Sequence, residues 1–370
     1  MILVIVFIHF RKLPEIELQQ KHIEEHNEWD LPDNWSIPPA LRANRYTCNN
    51  LLRLRQGNRN ITVDYLTLGI GALIFLIDRS SSSNEYKLEL ARNLTLLKDI
   101  LTPNDLVHVV GNIEEVDKLN GSDIRLFLSK NQFEMLRGFG ISSISLSAPE
   151  ILHRSLQPLI PEITREAESA GIQLTGIVPV ENVVLHTKEQ AQPLRMLTTQ
   201  QGIKVGVLAY CALKECEIMT TDLTHQPAVF SNIVLYDIQM IRTKGARLVV
   251  VSMNWGVSTD SRYNDVLSRK LAMAGADVVV GQHPWGKLGH GLYATTLVIF
   301  ASGTMLGNQD YVDYIREFLF YRIRYGRLGD MKSEYKVIDR STYTAKSGWI
   351  EVCSDGDIYC IECLDMRIHL

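Results

Sequence analysis

Two stretches of the chain end a run of valines on residues able to do chemistry. In VVVGQHPWGK, from Val278 to Lys287, the valines give way to His283, Pro284 and Trp285; in VVVSMNWGVS they give way to Asn254 and Trp255. Other apolar runs close in a related way, on Gly111-Asn112-Ile113-Glu114, Ser147-Ala148-Pro149-Glu150 and Gly303-Thr304, and Gly69-Ile70 is read as the matching exit of the first strand. In an open α/β sheet, ligands bind beyond the carboxyl ends of the strands, so these exits are where a site is expected. Carboxylates, imidazoles and amides gathered there are what a dinuclear metal hydrolase requires. Anionic oxygen offsets the charge of two divalent ions, and imidazole fixes their geometry.

The elements that must position these exits follow from periodicity. VDYLTLGIGALIFLID is a buried strand, and Glu85 to Leu101 carries Leu90, Leu94, Leu97 and Leu101 at helical spacing. DLVHVVGNIE, ISSISLS, GIKVGVLAY, ARLVVVS, ADVVVG and TTLVIFASG read as further strands. Helices are expected from about Asp123 to Arg137, over LIPEITREAESAG with Gly171 as its C-terminal glycine, over FSNIVLYDIQMIRTKG and over RYNDVLSRKLAMAG. Strands separated by helices of this length imply crossover units and a largely parallel core sheet. Asp355-Gly356, between two alternating runs, signals a hairpin that closes the C-terminal edge. Residues 1–60 read as an extension with a short helix (Glu15 to Glu28) and an irregular LPDNWSIPPA segment; residues 61–370 read as one domain.

Composition excludes several classes. An apolar content of 46% over 370 residues supports a sizeable core, and a net charge of -4 with interspersed signs gives no footprint for nucleic acid. There is no apolar run of about 18 residues, the length a spanning helix needs. MILVIVFIHFRK is apolar up to Ile8 but lacks a basic start and a small-residue cleavage site. It reads as an incomplete signal or anchor, a frayed tail or a first strand, which leaves the compartment open between cytoplasm and secretion. Six cysteines are too few for a disulfide scaffold, and the two in CIEC (Cys360, Cys363) fall on opposite faces of a strand-like run. Sequons at Asn34, Asn60, Asn93 and Asn120 are compatible with secretion without deciding it.

GARLVVVSMNWGVSTDSRYNDVLSRKLAMAGADVVVGQHPWG, together with GIKVGVLAY and DLVHVVGNIE, resembles the CapA (PGA_cap) family of capsule and poly-gamma-glutamate synthesis proteins, which are similar to calcineurin-like metallophosphoesterases. The resemblance spans about Val63 to Gly307. It implies a metallophosphoesterase-like layered αββα sandwich with largely parallel core strands and an antiparallel C-terminal edge hairpin. It also implies a metal site at the strand exits, and there this chain departs from the family. The early Gly-Asp falls on Gly69-Ile70; Asn-Asn-His falls on Ala148-Pro149-Glu150; His-Trp-Gly becomes Asn254-Trp255-Gly256; the last His of Gly-x-His-Pro-His is Trp285; and the Gly-Asn after the last core strand is Gly303-Thr304. Asn112, Glu114 and His283 persist.

By this resemblance Glu114, Asn254 and His283 are the candidate metal ligands, and His283 and Glu150 the candidate acid–base groups, with divalent Mn, Fe or Zn as cofactor if the residual site works. The bland readings stand beside these: His283 held in its Gly-Gln-His-Pro turn, Glu114 a loop or capping carboxylate, Asn254 a turn-maker. Trp255 and Trp285 either flank a flat ligand or pack beneath the loops. His290 and His153 lie near the loops but at no matching position. REFLFYRIRYGRLGDMK sets Arg322 and Arg324 among aromatic rings, either as an anion-binding strip or as an amphipathic element whose arginines snorkel. Three functional expectations follow. The chain is an inactive relative that binds or assembles an anionic polymer or a protein partner; or it is a metal-dependent hydrolase of phosphoester or amide bonds with a reduced ligand set; or it is a regulatory protein-binding module.

Overall fold

The computed structural model describes residues 64–78, 83–115, 125–126, 129–152, 156–180, 183–184, 189–190, 194–217, 223–231, 233–255, 261–281, 289–293, 296–305, 317–326, 331–352 and 361–363. The extension expected over residues 1–60 lies outside them. The first half of the chain lays down β1 (Asp64–Asp78), β2 (Leu106–Glu115), β3 (Ile141–Ser145) and β4 (Gln173–Thr175). The second half lays down β5 (Arg195–Thr198), β6 (Lys204–Cys211), β7 (Leu248–Asn254), β8 (Val278–Gly281), β9 (Gly289–Tyr293) and β10 (Thr296–Ala301). The chain then returns with β11 (Glu317–Gly326) and β12 (Met331–Asp339). Between the strands run α1 (Ser83–Leu96), α2 (Lys98–Leu101), α3 (Lys130–Gly138), α4 (Ile160–Ser169), α5 (Ile233–Thr243) and α6 (Ser261–Ala274).

These strands make two large sheets. One has nine strands, seven of them in the order Thr344–Ala345, β12, β11, β1, β2, β3, β4, with Ile350–Glu351 paired to β12 and Arg125–Leu126 to β1; the other has seven, ordered Ile361–Cys363, β9, β10, β8, β7, β6, β5. β1 to β4 are mutually parallel, as are β6, β7, β8 and β10, while β11, β12, β5 and β9 are antiparallel to their neighbours. The expected largely parallel core with antiparallel edges is therefore present. The turn of the hairpin placed at Asp355-Gly356 lies outside the described residues. Ile350–Glu351 pairs with β12 in the first sheet and Ile361–Cys363 with β9 in the second, and residues 353–360 lie outside the described ones. The two alternating runs differ in the sheet they extend, which sequence periodicity does not encode.

Three apolar clusters fix four layers. Leu90, Leu94, Phe133, Leu136, Ile160 and Ile163 pack helices α1, α3 and α4 on the outer face of the first sheet. Val234, Ile238, Ile241, Leu267 and Leu271 do the same for α5 and α6 on the second. Between the sheets lie Leu66, Leu68 and Ile70 of β1 against Val205, Val207, Leu248, Val250, Val278 and Ile299. Each such side chain contributes about 1.5–3 kcal/mol on leaving water, so this aliphatic seam is what joins the sheets. The result is a helix–sheet–sheet–helix sandwich.

The seam also holds buried polar groups. His108 of β2 is fully buried, with Nδ1 2.7 Å from Ser143 Oγ in its own sheet and Nε2 2.7 Å from Ser252 Oγ in the other. A neutral imidazole has one donor and one acceptor nitrogen, so one serine accepts and the other donates. Burial pushes the imidazole down to about 3, keeping it neutral.

Two helices differ from expectation. The helix read from about Asp123 starts at Lys130, because Ser129 and Gln132 cap each other (Ser129 N–H to Gln132 Oε1, 2.7 Å), while Arg125–Leu126 pairs with the end of β1. The helix read as continuous from Glu85 to Leu101 turns at buried Leu97 and resumes as α2. Among the described residues no helix is long and apolar enough to cross a membrane.

Candidate functional site

The parallel strands of both sheets bring their carboxyl ends to a common set of exits. In the first sheet the register sets Ile74 beside Asn112, Leu76 beside Glu114 and Ile77 beside Glu115. β1 therefore does not leave the sheet at Gly69-Ile70. Ile70 pairs with His108 in mid-strand and is buried between the sheets. The residue at the true exit of β1 is Asp78, a carboxylate-type residue that sequence reading passed over. Its signal was present as the first acid after an unbroken apolar run. Asn112 and Glu114 both lie in the last stretch of β2, and their side chains are outside the described residues.

The exit of β3 runs through Ser147 and Ala148, both buried, into a short 3-10 turn, Pro149–Leu152. Ser147 Oγ donates to Ala228 O at 3.1 Å, and Gly176, at φ +88, is tucked where a Cβ would sit 2.7 Å from that of Ser147. Glu150 lies on the solvent side of the turn, yet desolvation by the surrounding protein holds its carboxyl above the usual carboxylate range, with its own backbone hydrogen bond pulling the other way. A raised carboxyl at a strand exit is chemically suited to accept and return a proton.

In the second sheet Asn254 is the last residue of β7, is buried, pairs with Cys211 of β6, and accepts the Ala212 N–H on its carbonyl at 2.7 Å. Trp255 follows it and is 2% exposed. Its Nε1–H donates to Phe300 O at 3.3 Å, and its ring lies over Gly281, where a Cβ would meet Cζ2 at 2.5 Å. The indole is part of the core under α5 and α6. β10 exits through Ser302, Gly303 and Thr304, with both hydroxyl residues buried. His283, Trp285 and His153 lie outside the described residues.

The other candidates are placed away from these exits. His290 is buried in β9, with Nδ1 3.1 Å from Tyr321 Oη and its ring 4.9 Å from that of Tyr335, so it ties the two sheets together. Arg322 is part of β11, whose half-buried arginines alternate with buried Ile323. Its Nε and Nη2 donate to Glu334 Oε2 at 3.1 and 2.7 Å, and its guanidinium stacks 3.8 Å over Trp349, which Lys336 approaches from 4.9 Å. Its charge is thus answered by a nearly buried carboxylate. Arg324, half-buried, stands opposite Lys332 across the same pair of strands.

One feature of this edge escaped sequence reading altogether: Cys211, at the end of β6, is disulfide-bonded to Cys216. Among the described residues no three His, Cys, Asp or Glu side chains converge as metal ligands do. What the described exits of β3, β7 and β10 offer is Ser147, Asn254, Ser302 and Thr304. Hydroxyls and an amide are neutral donors, and with Glu150 the one carboxylate described beside them they leave most of the charge of two divalent cations uncompensated. The described part of the edge does not fit a two-metal centre.

Residues 79–309 match the family model described as bacterial capsule synthesis protein PGA_cap. The match begins just after β1 and ends before β11. No curated protein matches the chain. Among solved structures, a 5'-nucleotidase precursor from Thermus thermophilus is similar at 13% identity and a TM-score of 0.42, over 76% of this chain and 56% of its own. The sulfate thiohydrolase SoxB of Thermus thermophilus is similar at 10% identity and 0.44, over 76% and 58%. The calcineurin-like phosphoesterase YfkN of Bacillus subtilis is similar at 11% identity and 0.39, over 75% and 91%. The chain thus spans little more than half the length of the first two.

Proposed function

The chain belongs to the bacterial capsule synthesis protein PGA_cap family, and we propose that within it this protein binds or assembles an anionic polymer or a protein partner, with two-metal hydrolysis given up. The observation that carries this reading is the chemistry of the described exits. Asn254, buried at the exit of β7, stands where the family resemblance set an imidazole, and Thr304, buried after β10, where it set an amide. Losing direct ligands costs far more than the roughly 10 to 100-fold of an outer-shell change. Elemental analysis of the full chain, purified without chelator or affinity nickel, tests it. Well under one Mn, Fe or Zn per chain is the expected result, and a stoichiometric pair overturns the proposal.

A second reading has one observation in its favour, the raised carboxyl of Glu150 at the exit of β3. It makes the protein a hydrolase of phosphoester or amide bonds, with Glu114, Asn254 and His283 holding one divalent ion that polarises the scissile bond, and Glu150 as the base. It requires turnover of a phosphoester surrogate that depends on added metal and vanishes in His283→Ala. Silence across Mn, Fe, Zn and Mg rejects it.

A further inference from the structure

β6 ends on Cys211, and the chain then makes a single 3-10 turn, Lys214–Glu217, that carries Cys216. The two cysteines are bonded and buried, at 0% and 1% exposure, whereas Lys214, Glu215 and Glu217 are more open to solvent. The two ends of this link differ in how firmly they are held. Cys211 N–H donates to Ala228 O at 2.7 Å, its carbonyl accepts Phe230 N–H at 2.7 Å, and it pairs with Asn254 in the sheet. Cys216 sits in a surface turn closed by its own N–H to Leu213 O at 3.0 Å. That turn packs against the Pro149–Leu152 turn bearing Glu150, which the short strand His225–Pro227 flanks as well. A covalent bond therefore joins a rigid strand end to a small surface element lying on the candidate site.

We propose that the Cys211–Cys216 bond is a redox-sensitive clasp. Oxidised, it pins the Lys214–Glu217 turn onto the Pro149–Leu152 turn; reduced, it releases that turn and opens the ground around buried Asn254 to solvent. A one-turn surface element opens locally at far lower free energy than the sheet unfolds, and such opening admits a reductant to the buried sulfurs. A dithiol then acts in two steps. One of its thiolates attacks the Cys216 sulfur, breaking the protein bond and leaving Cys211 as a thiolate that takes up a proton. Its second thiol attacks the mixed disulfide and releases Cys216. Two electrons and two protons pass to the protein, and the dithiol leaves as its own disulfide. The clasp stands whether or not the edge binds metal.

The test uses the full chain and dithiothreitol. Alkylation and peptide mass analysis of protein handled without reductant should find Cys211 and Cys216 linked. Hydrogen exchange is then followed in oxidised wild type, reduced wild type and Cys216→Ser. Segments 149–152 and 212–217 should exchange faster by roughly tenfold or more in the last two, with the β6 and β7 segments 204–210 and 248–254 unchanged. Cys216→Ser separates this effect from reduction of cysteines elsewhere; if that variant does not fold, the oxidised and reduced wild type carry the comparison. Free, alkylated Cys211 and Cys216 in untreated protein overturn the proposal. So does equal exchange in the oxidised and reduced forms, or acceleration spread evenly over β6 and β7.

Discussion

The imidazole of His108 makes the acid stability of this protein calculable. In the unfolded chain a histidine takes up a proton near its ordinary value of about 6.5. In the fold, His108 is held neutral down to about 3 by burial between Ser143 and Ser252. Between those two values the unfolded state binds the extra proton, so stability rises with pH there. The contribution is complete above the unfolded value and is lost as the solution is acidified through it. At about pH 5 the unfolded chain is favoured by roughly 1.5 pH units' worth of protonation, or about 2 kcal/mol relative to pH 8. Glu150 and Asp237, both raised by desolvation, act in the opposite sense at acid pH, so the wild-type profile alone is not diagnostic. The measurement is urea unfolding, followed by tryptophan fluorescence at pH 8 and 5, for wild type and His108→Gln. The amide cannot titrate, so the variant should lose about 2 kcal/mol less on acidification. Parallel profiles for the two proteins, or a His108 resonance titrating near 6.5, refute the reasoning.

Gly281→Ala should lower the melting temperature by several degrees, because its Cβ would clash with Phe300 O and meet the Trp255 ring at 2.5 Å, and such overpacking costs about 1–3 kcal/mol; a melt within a degree of wild type contradicts it. Arg322→Ala should destabilise by roughly 1–3 kcal/mol, allowing for partial exposure of the guanidinium, since it leaves the nearly buried Glu334 without its two-pronged donor. Arg322→Ala with Glu334→Gln should cost less than the two changes summed, and strict additivity in a double-mutant cycle counts against the pair. Tyr210→Phe removes the 2.6 Å hydrogen bond to buried Asp237 and should cost about 1–3 kcal/mol in chemical denaturation. It should also raise the Asp237 carboxyl further, since that bond is what holds it down, and a carboxyl that falls in an NMR titration contradicts this.

Most of the framework could be read from the sequence because buried parallel strands announce themselves. The unbroken valine runs of β7 and β8 fit a sheet covered on both faces, and the leucine spacing of α1 fits a helix on its outside. What could not be read depends on partners remote in the chain. Gly69-Ile70 looked like a strand exit because glycine often ends a run. Gly69 is instead a close approach, where a Cβ would meet Phe320 Cζ at 2.6 Å, and β1 runs on to Asp78. The arginines of β11 read as an exposed strip because their answering groups, Glu334 and Trp349, come later and only the fold puts them in contact. Trp255 is buried because Gly281 makes room for it, a pairing no local period reveals. Cys211 and Cys216 match no familiar spacing and become a pair only when the chain turns sharply after β6.

The order in which the first sheet is completed bears on how the protein is made. β1 opens the described chain, yet one of its two long neighbours is β11, with Leu68 set against Ile323. A nascent chain therefore carries one side of the first half of a long apolar strand unpaired until β11 has been made. Pairings that span so much sequence form slowly, and an unclaimed strand side is where chains join each other wrongly. Fragments ending before residue 317 should accordingly be recovered as aggregates. Both β1 and β11 also fall outside the stretch shared with the family, so the central seam of that sheet is supplied from the parts of the chain where the family match is silent.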